Sequence, residues 1–205
     1  LAAERRALPW VRVEEPYRFA TVDGPRSLAE LFGGRSQLIV YHFMYGPEWQ
    51  DGCKSCSFWM DAFDGVVVHL AHRDTAFWAI SRAPLATLER YRTRMGWRFP
   101  WASSAGSTFN LDFHVSFDAD AVAHGGEYNF RQTGVGEELP GLSVFARDAD
   151  GAVFHTYSTY ARGLDTLNSG YQLLDLVPRG RDEADLPSTM AWLRRRDEHG
   201  DAAVR

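Results

Sequence analysis

The chain has 205 residues, of which 45% are hydrophobic, 14% aromatic and 24% charged, a composition typical of a folded globular protein and unlike that of a disordered one. Its net charge of -5 gives no electrostatic attraction to nucleic acid, so no nucleic-acid partner is expected. No apolar segment approaches the ~20 residues that cross a bilayer, so no membrane association is expected either.

A single domain is expected over residues 1–205, with a core at about residues 17–177 and a charged C-terminal extension at residues 178–205. The basic run at 194–196 is interpreted as a solvated helix end. Residues 1–10 show no signal-peptide pattern, and two cysteines are too few for the disulfide framework of a secreted domain. A cytoplasmic protein is therefore expected. Because the chain does not begin with Met, an upstream export signal stays open.

Short elements are predicted before the centre of the chain. Residues 11–13 and 17–19 are predicted to be extended. Ser27 is placed to cap a short apolar helix that Gly33 ends. The run 38–44 is rich in β-branched and aromatic residues and predicts a buried strand.

Cys53 and Cys56 are the only two cysteines of the chain, and they form a C-x-x-C motif soon after that strand. The apolar residues that follow have helical spacing, from Trp59 to Leu70, which predicts one helix from the motif to about residue 73. A strand, a turn and two cysteines at the head of a helix are typical of a thiol–disulfide site.

The second half of the chain alternates strands and helices. Its predicted elements are a buried strand at 75–81, a helix at 85–95, a hairpin at 142–147 and 153–157, and a core helix at 164–174. Residues 118–136 are polar and glycine-rich and are predicted to be a surface insertion. This order of elements predicts an α/β sandwich built on a mixed central sheet.

Several strings resemble the thioredoxin superfamily near its peroxiredoxin-like and TlpA-like branch, among them SLAELFGGR at 27–35 and ISRAP at 80–84. The strings YHFMYGPEW, GCKSCSFW, ELPGLSVF and FHTYSTYARGLD are similar to one bacterial group, a thioredoxin-like domain-of-unknown-function family of predicted dithiol–disulfide oxidoreductases. The resemblance covers roughly residues 17–177. It implies a thioredoxin-like three-layer sandwich whose mixed central sheet is flanked by helices.

The chain departs from both relatives at the cysteines. In thioredoxins the first cysteine follows the strand almost at once and is preceded by Trp, whereas this chain inserts residues 46–52 and has Gly52 at that position. Peroxiredoxins have Thr or Ser three residues before the reactive Cys and Pro four further back, where this chain has Gln50 and Gly46. The mouth of the site is therefore expected to be rebuilt.

Five residues are expected to form the site: the helix start favours roles for the two cysteines, and the resemblance implies those of Leu139 and Pro140. Cys53 would be the nucleophile and Cys56 the resolving thiol. Pro140 would correspond to the family's cis-proline, and the backbone of Leu139 would pair with an extended substrate; an ordinary trans proline is the alternative. Trp49 would line the mouth of the site or, alternatively, pack the inserted loop.

The function that these residues favour is a thiol–disulfide oxidoreductase acting on a protein or small-thiol disulfide. A peroxiredoxin-like peroxide reductase and a redox-inert thioredoxin-fold binding module are the alternatives, the last with two merely structural thiols. No cofactor is expected. The sequence identifies neither the electron donor nor an oligomeric state.

The two cysteines, with His69 and His72, also approach a zinc-binding spacing. If the intervening residues form one helix, Cys56 and His69 lie about 20 Å apart, too far to share an ion. No metal is therefore expected. His42 lies among apolar residues of the central strand and is expected to be a core histidine, with a proton-transfer role as the alternative.

Overall fold

The computed structural model describes residues 1–200. The strands are β1 (Val11–Arg12), β2 (Arg18–Thr21), β3 (Gly24–Ser27), β4 (Gln37–His42), β5 (Thr75–Ser81), β6 (Trp101–Ser103), β7 (Gly126–Tyr128), β8 (Arg131–Thr133), β9 (Gly141–Arg147) and β10 (Val153–Tyr160). The helices are α1 (Ala2–Arg6), α2 (Lys54–Asp64), α3 (Val67–Ala71), α4 (Leu85–Met95), α5 (Phe109–Asp112), α6 (Ala119–His124) and α7 (Ser169–Leu174), with 3-10 turns at Glu30–Phe32, Ala161–Leu167 and Arg196–Glu198. Within these residues, no helix has the length and apolar character needed to cross a membrane.

Eight strands form one mixed sheet in the order β1-β10-β9-β4-β5-β6-β2-β3, and β7 pairs with β8 in a separate hairpin. The β4–β5 and β5–β6 pairs are parallel, and the other neighbours are antiparallel. In the centre, Val40 of β4 pairs with Trp78 on one side and Ser143 on the other. Helices connect the parallel strands, as crossover connections require.

Alternation along β4 divides the core into two layers. Leu38 and Val40 face a buried cluster that includes residues of α5, while Tyr41 and Phe43 face a second cluster that includes residues of α2 and α4. The sheet is therefore covered on both faces. The expected α/β sandwich, with a mixed central sheet flanked by helices, is confirmed.

The helix after the cysteines is shorter than predicted. α2 ends at Asp64, and the Val66 N–H donates to the Phe63 carbonyl at 3.0 Å, an i to i−3 bond that tightens the turn before α3. Gly65 lies at this break, and glycine has a poor helix propensity. Val66 is 45% exposed, and α3 has no buried residue. The prediction of one helix to about residue 73 is therefore wrong.

The core helix predicted at 164–174 is likewise two pieces. A 3-10 turn ends at Leu167, and α7 begins at Ser169. Asn168 between them is fully buried, and its side-chain oxygen accepts a hydrogen bond from the Gly170 N–H at 2.9 Å. This cap starts a new helix instead of continuing the turn.

The insertion at 118–136 carries short elements of its own. The Asp118 carboxylate caps α6 by accepting from the Ala121 N–H at 2.9 Å, and the β7–β8 hairpin follows. Tyr128 of β7 is buried, and its hydroxyl donates to the Pro140 carbonyl at 2.8 Å. The insertion is thus fastened to the segment that enters β9.

The C-terminal segment, defined here as residues 178–200, folds back on α2. The Trp192 ring lies 5.8 Å from the ring of Phe58 on α2. Lys54, at the start of α2, donates to the Ala191 carbonyl at 3.4 Å. The segment therefore lies against the end of α2 that carries the cysteines.

Candidate functional site

Cys53 and Cys56 lie where strand β4 is followed by helix α2. Cys53 is the N-cap residue of α2, and its N–H donates to the Met44 carbonyl at 3.1 Å. Both cysteines are free thiols; Cys53 is partly exposed, whereas Cys56 is buried. The N–H groups of the first helical turn, which have no partner within the helix, therefore lie next to the Cys53 sulfur.

The surroundings of Cys53 favour its thiolate. The neighbouring Cys56 thiol donates to the Cys53 sulfur, and this contact is the main cause that lowers the pKa of Cys53 to about 6. Burial acts in the opposite direction, while the N–H groups of Cys56 and Ser55 and the Ser55 hydroxyl lower the pKa further. Cys53 is therefore largely ionised at neutral pH, and the positive end of the α2 dipole stabilises its charge.

Cys56 has the opposite character. Burial raises the pKa of the Cys56 thiol well above its ordinary value, and the neighbouring Cys53 raises it further. The Tyr41 hydroxyl lies near the Cys56 sulfur and opposes a small part of that rise. One ionised, accessible sulfur beside one protonated, buried sulfur suits an attacking and a resolving thiol.

A cavity of about 170 Å³ lies beside Cys56. Residues from β4, the segment before β9, the 3-10 turn Ala161–Leu167 and the C-terminal segment line it, among them Tyr41, Pro140, Asp165 and Met190. The Tyr41 hydroxyl and the Oδ1 atom of Asp165 are buried and have no hydrogen-bond partner within residues 1–200. The buried sulfur of Cys56 therefore adjoins a cavity whose lining includes Tyr41 and Asp165.

The Leu139–Pro140 bond is trans, since residues 1–200 contain no cis peptide bond. The cis-proline that the resemblance implies is therefore wrong for this chain. The Leu139 N–H donates to the Val115 carbonyl at 2.8 Å, so it is not free to pair with an extended substrate. Pro140 lines the cavity beside Cys56, whereas Leu139 packs against the cluster on the other face of the sheet.

Trp49 packs the inserted loop 46–52 and borders the cysteine cluster. The backbone N–H of Trp49 donates to the Gly46 carbonyl at 3.1 Å. A Cβ at Gly46 would stand 2.7 Å from the indole nitrogen of Trp49. That nitrogen donates to the Glu137 carboxylate at 3.4 Å. The side chain is half-buried in the same cluster as Cys53. Trp49 thus fixes the loop at the edge of the site.

A hydrogen-bonded group around the Cys53 backbone gave no signal in the sequence. The Ser57 hydroxyl donates to the Cys53 carbonyl at 2.9 Å and lies 2.8 Å from the Tyr91 hydroxyl. Arg195 donates to the Tyr91 hydroxyl at 3.0 Å and to the Gly52 carbonyl at 2.9 Å. Arg195 is 143 residues from Gly52 along the chain, in a run interpreted as solvated. Only the folded structure brings it to the cysteines.

The histidines stand apart from this site. Within residues 1–200, no three His, Cys, Asp or Glu side chains are grouped so that they can hold a metal ion, and His69 and His72 are exposed near α3. His42 is 1% exposed, with its Nε2 2.8 Å from the Ser143 hydroxyl, and it faces the cluster opposite the cysteines. Burial lowers the pKa of His42 to about 3, and the expectation of a core histidine is confirmed.

Solved structures with the same fold are peroxiredoxins and their relatives. Peroxiredoxin Q of Xanthomonas campestris superposes with a TM-score of 0.55 at 12% identity, covering 82% of this chain and 98% of that one. The bacterioferritin comigratory protein of Xanthomonas campestris superposes with a TM-score of 0.53 at 11% identity, covering 81% of this chain and 98% of that one. At these identities the likeness shows the fold alone, which is the thioredoxin-like fold of these peroxiredoxins.

None of the curated proteins matches the chain. The family described as "Bacterial protein of unknown function (DUF899)" matches residues 1–199. The expected membership in a thioredoxin-like family of unknown function is therefore confirmed. The chain belongs to the DUF899 family of bacterial proteins.

Proposed function

We propose that the chain is a thiol–disulfide oxidoreductase in which Cys53 is the nucleophile and Cys56 the resolving thiol. The observation that carries the proposal is the contrast between the two sulfurs at the start of α2. Cys53 is partly exposed at the N-cap of α2 and its pKa is lowered to about 6, whereas Cys56 is buried one turn into the helix and its pKa is raised. A thiolate is the reactive form of cysteine, so only Cys53 is ready to attack at neutral pH.

The reaction proceeds in two exchanges. The Cys53 thiolate attacks one sulfur of a substrate disulfide, forms a mixed disulfide, and releases the other substrate sulfur as a thiolate that takes a proton from water. Cys56 then loses its proton and attacks the Cys53 sulfur. This step closes the Cys53–Cys56 disulfide and releases the second substrate thiol. The substrate disulfide is reduced by two electrons, and a thiol or dithiol donor returns them to the pair.

The substrate class is a protein or small-thiol disulfide. The inserted loop 46–52 precedes Cys53 directly, and its Trp49 packs against the same cluster as Cys53. The Leu139 N–H is occupied, so an extended peptide cannot pair with that group. These features favour a substrate that presents an accessible disulfide over one that needs long backbone pairing.

The cysteine variants test this function. The reduced protein is expected to reduce insulin disulfides or a glutathione-linked probe, and Cys53→Ser is expected to abolish the reaction because the attacking sulfur is gone. Cys56→Ser is expected to stop after the first exchange and to accumulate a mixed disulfide that mass spectrometry detects. Activity of Cys53→Ser equal to that of the native protein would contradict the assignment.

A hydroperoxide is the alternative oxidant, and the fold shared with peroxiredoxin Q supports testing it. In that case the Cys53 thiolate takes one oxygen, the peroxide leaves as an alcohol or water, and the sulfenic acid condenses with Cys56 to a disulfide and water. Rapid peroxide loss with a trapped sulfenic acid in Cys56→Ser, and no disulfide exchange, would favour the peroxidase. A Cys53 pKa near that of a free thiol, with neither activity, would favour a binding module.

A further inference from the structure

The C-terminal segment delivers a guanidinium group to the backbone that carries Cys53. The Arg195 side chain is 18% exposed and donates to the Gly52 carbonyl at 2.9 Å. Its Nε atom donates to the Tyr91 hydroxyl at 3.0 Å. The planar fork of Arg is suited to reaching two acceptors at once, which the single ammonium of Lys is not.

The Tyr91 hydroxyl connects Arg195 to the Cys53 carbonyl. The Tyr91 hydroxyl lies 2.8 Å from the Ser57 hydroxyl, which donates to the Cys53 carbonyl at 2.9 Å. Arg195 therefore restrains the Gly52 carbonyl directly and the Cys53 carbonyl through two hydroxyls. These are the carbonyls immediately before and after the Cys53 Cα.

The direction of these two carbonyls matters for the sulfur between them. Cys53 is the N-cap residue of α2, so the position of its sulfur depends on the backbone conformation on either side of its Cα. The donors to the Cys53 sulfur include the N–H groups of Ser55 and Cys56, which act only if the sulfur stays over the first helical turn. A restrained backbone keeps the sulfur there.

Arg195 is itself held in place by other charged groups. Its guanidinium lies 2.8 Å from the Glu198 carboxylate and 3.9 Å from that of Asp51. Arg94 of α4 ties the same region together through Asp51 at 2.8 Å and Asp197 at 2.6 Å. The end of the C-terminal segment is thereby fastened to the loop before Cys53 and to α4.

We propose that Arg195 is a positioning residue of the cysteine site, which orients the Gly52 and Cys53 carbonyls so that the helix start faces the attacking sulfur. The C-terminal segment is then a part of the site. This inference rests on the proposed role of Cys53 as the attacking thiol. The titratable or charged groups next to Cys53 are those of Tyr41, Lys54 and Cys56, and those around Arg195 are Tyr45, Asp51, Tyr91, Arg94 and Glu198.

The test compares Arg195→Gln with Arg194→Gln, which changes the exposed neighbouring charge in the same way. The rate of iodoacetamide alkylation is measured against pH in the full-length reduced protein. Arg195→Gln is expected to raise the midpoint of the Cys53 profile by about one pH unit, because the helix donors lose their alignment. Arg194→Gln is expected to leave the midpoint unchanged. Arg195→Lys is expected to raise the midpoint by less than Arg195→Gln does.

If Arg195 acted through its positive charge alone, Arg195→Lys would have the native midpoint, because lysine carries the same charge. A midpoint between those of the native protein and Arg195→Gln therefore supports the positioning role. If Arg195→Gln does not fold, Tyr91→Phe removes the bridge to Ser57 and is expected to raise the midpoint by a smaller amount. Native midpoints in Arg195→Lys and in Tyr91→Phe would overturn the inference. Alkylation of Cys53 needs no substrate disulfide. If the protein showed no disulfide exchange, the proposed function would be refuted, but the alkylation midpoints could still be compared.

Discussion

The charge on Cys53 depends on a donor that is itself a cysteine. The hydrogen bond from the Cys56 thiol is the largest of the causes that set the lowered pKa of Cys53, ahead of the N–H groups of the helix start. The two sulfurs therefore act on each other: the donor that stabilises the Cys53 thiolate is kept protonated by burial and by that same thiolate.

Replacing Cys56 tests this coupling between the two sulfurs. Cys56→Ala removes the donor and is expected to raise the Cys53 pKa from about 6 towards the ordinary value of about 8.5. Cys56→Ser keeps a hydroxyl donor and is expected to raise the Cys53 pKa by a smaller amount. The midpoint of iodoacetamide alkylation against pH measures both values, and equal midpoints in the two variants would contradict the role of the donor.

The lowered Cys53 pKa also links the thiolate to stability. The unfolded chain keeps its Cys53 proton up to about pH 8.5, whereas the folded chain loses it near pH 6. The folded state is therefore favoured increasingly as the pH rises between those values, and this contribution disappears as the pH falls through about 6. Cys56→Ala and Cys56→Ser, which both raise the Cys53 pKa, are expected to reduce this contribution to stability.

At the scale of elements, the loop 46–52 explains why the chain has Gly52 before its first cysteine. A Cβ at Gly52 would stand 2.7 Å from ring carbons of both Phe43 and Tyr91. These two aromatic side chains are buried in the cluster that covers the cysteine helix. A Trp before Cys53, as in thioredoxins, has no room in this packing.

Gly52→Ala is therefore expected to destabilise the fold by about 1–3 kcal/mol, as overpacking of a dense core does. Gly65→Ala is the matched control: nothing lies within 4 Å of a Cβ at Gly65, and its φ of -76 suits alanine. That change is expected to stabilise by about 0.4–1 kcal/mol. Urea unfolding measures both free energies, and equal stability of Gly52→Ala and the native protein would contradict the packing argument.

The sequence predicted strands better than it predicted helix ends. Residues 38–44, 75–81 and the hairpin at 142–157 have patterns that come directly from burial on the faces of a sheet, so their places were predictable. The breaks at Gly65 and Asn168 were missed because the apolar spacing continues past both positions. At Asn168 the deciding factor is a side-chain cap, a contact that spacing alone does not reveal.

At the scale of the molecule, the candidate site is assembled from parts that are distant in sequence. The cysteine motif itself was predictable, because two thiols at this spacing before an apolar helical stripe are a local pattern. Arg195 was not, because its role depends on where residues 178–200 fold back, and a run of charged residues carries no long-range information. The trans Leu139–Pro140 bond was not predictable either, because the residues around a proline in sequence do not determine its isomer.

A buried chain of polar groups crosses three strands of the central sheet. His42 lies 2.8 Å from the Ser143 hydroxyl, which lies 2.8 Å from that of Ser158, and this in turn lies 2.7 Å from His155. Burial lowers the pKa of both histidines, that of His42 to about 3. Neither ring gains a charge at neutral pH, and protonation would place a cation inside the apolar cluster.

Burial of His42 contributes to the dependence of stability on pH. Between its ordinary pKa of about 6.5 and its folded value of about 3, His42 binds a proton in the unfolded chain only, so stability falls as the pH falls through that window. The contribution of this one proton approaches about 1.4 kcal/mol per pH unit.

His42→Gln, which keeps a polar side chain opposite Ser143, is expected to flatten the dependence of the unfolding free energy on pH, measured by urea titration from pH 7 to pH 4. His72→Gln removes an exposed histidine and is expected to keep the native slope, so identical slopes in the two variants would show that His42 does not resist protonation in the fold.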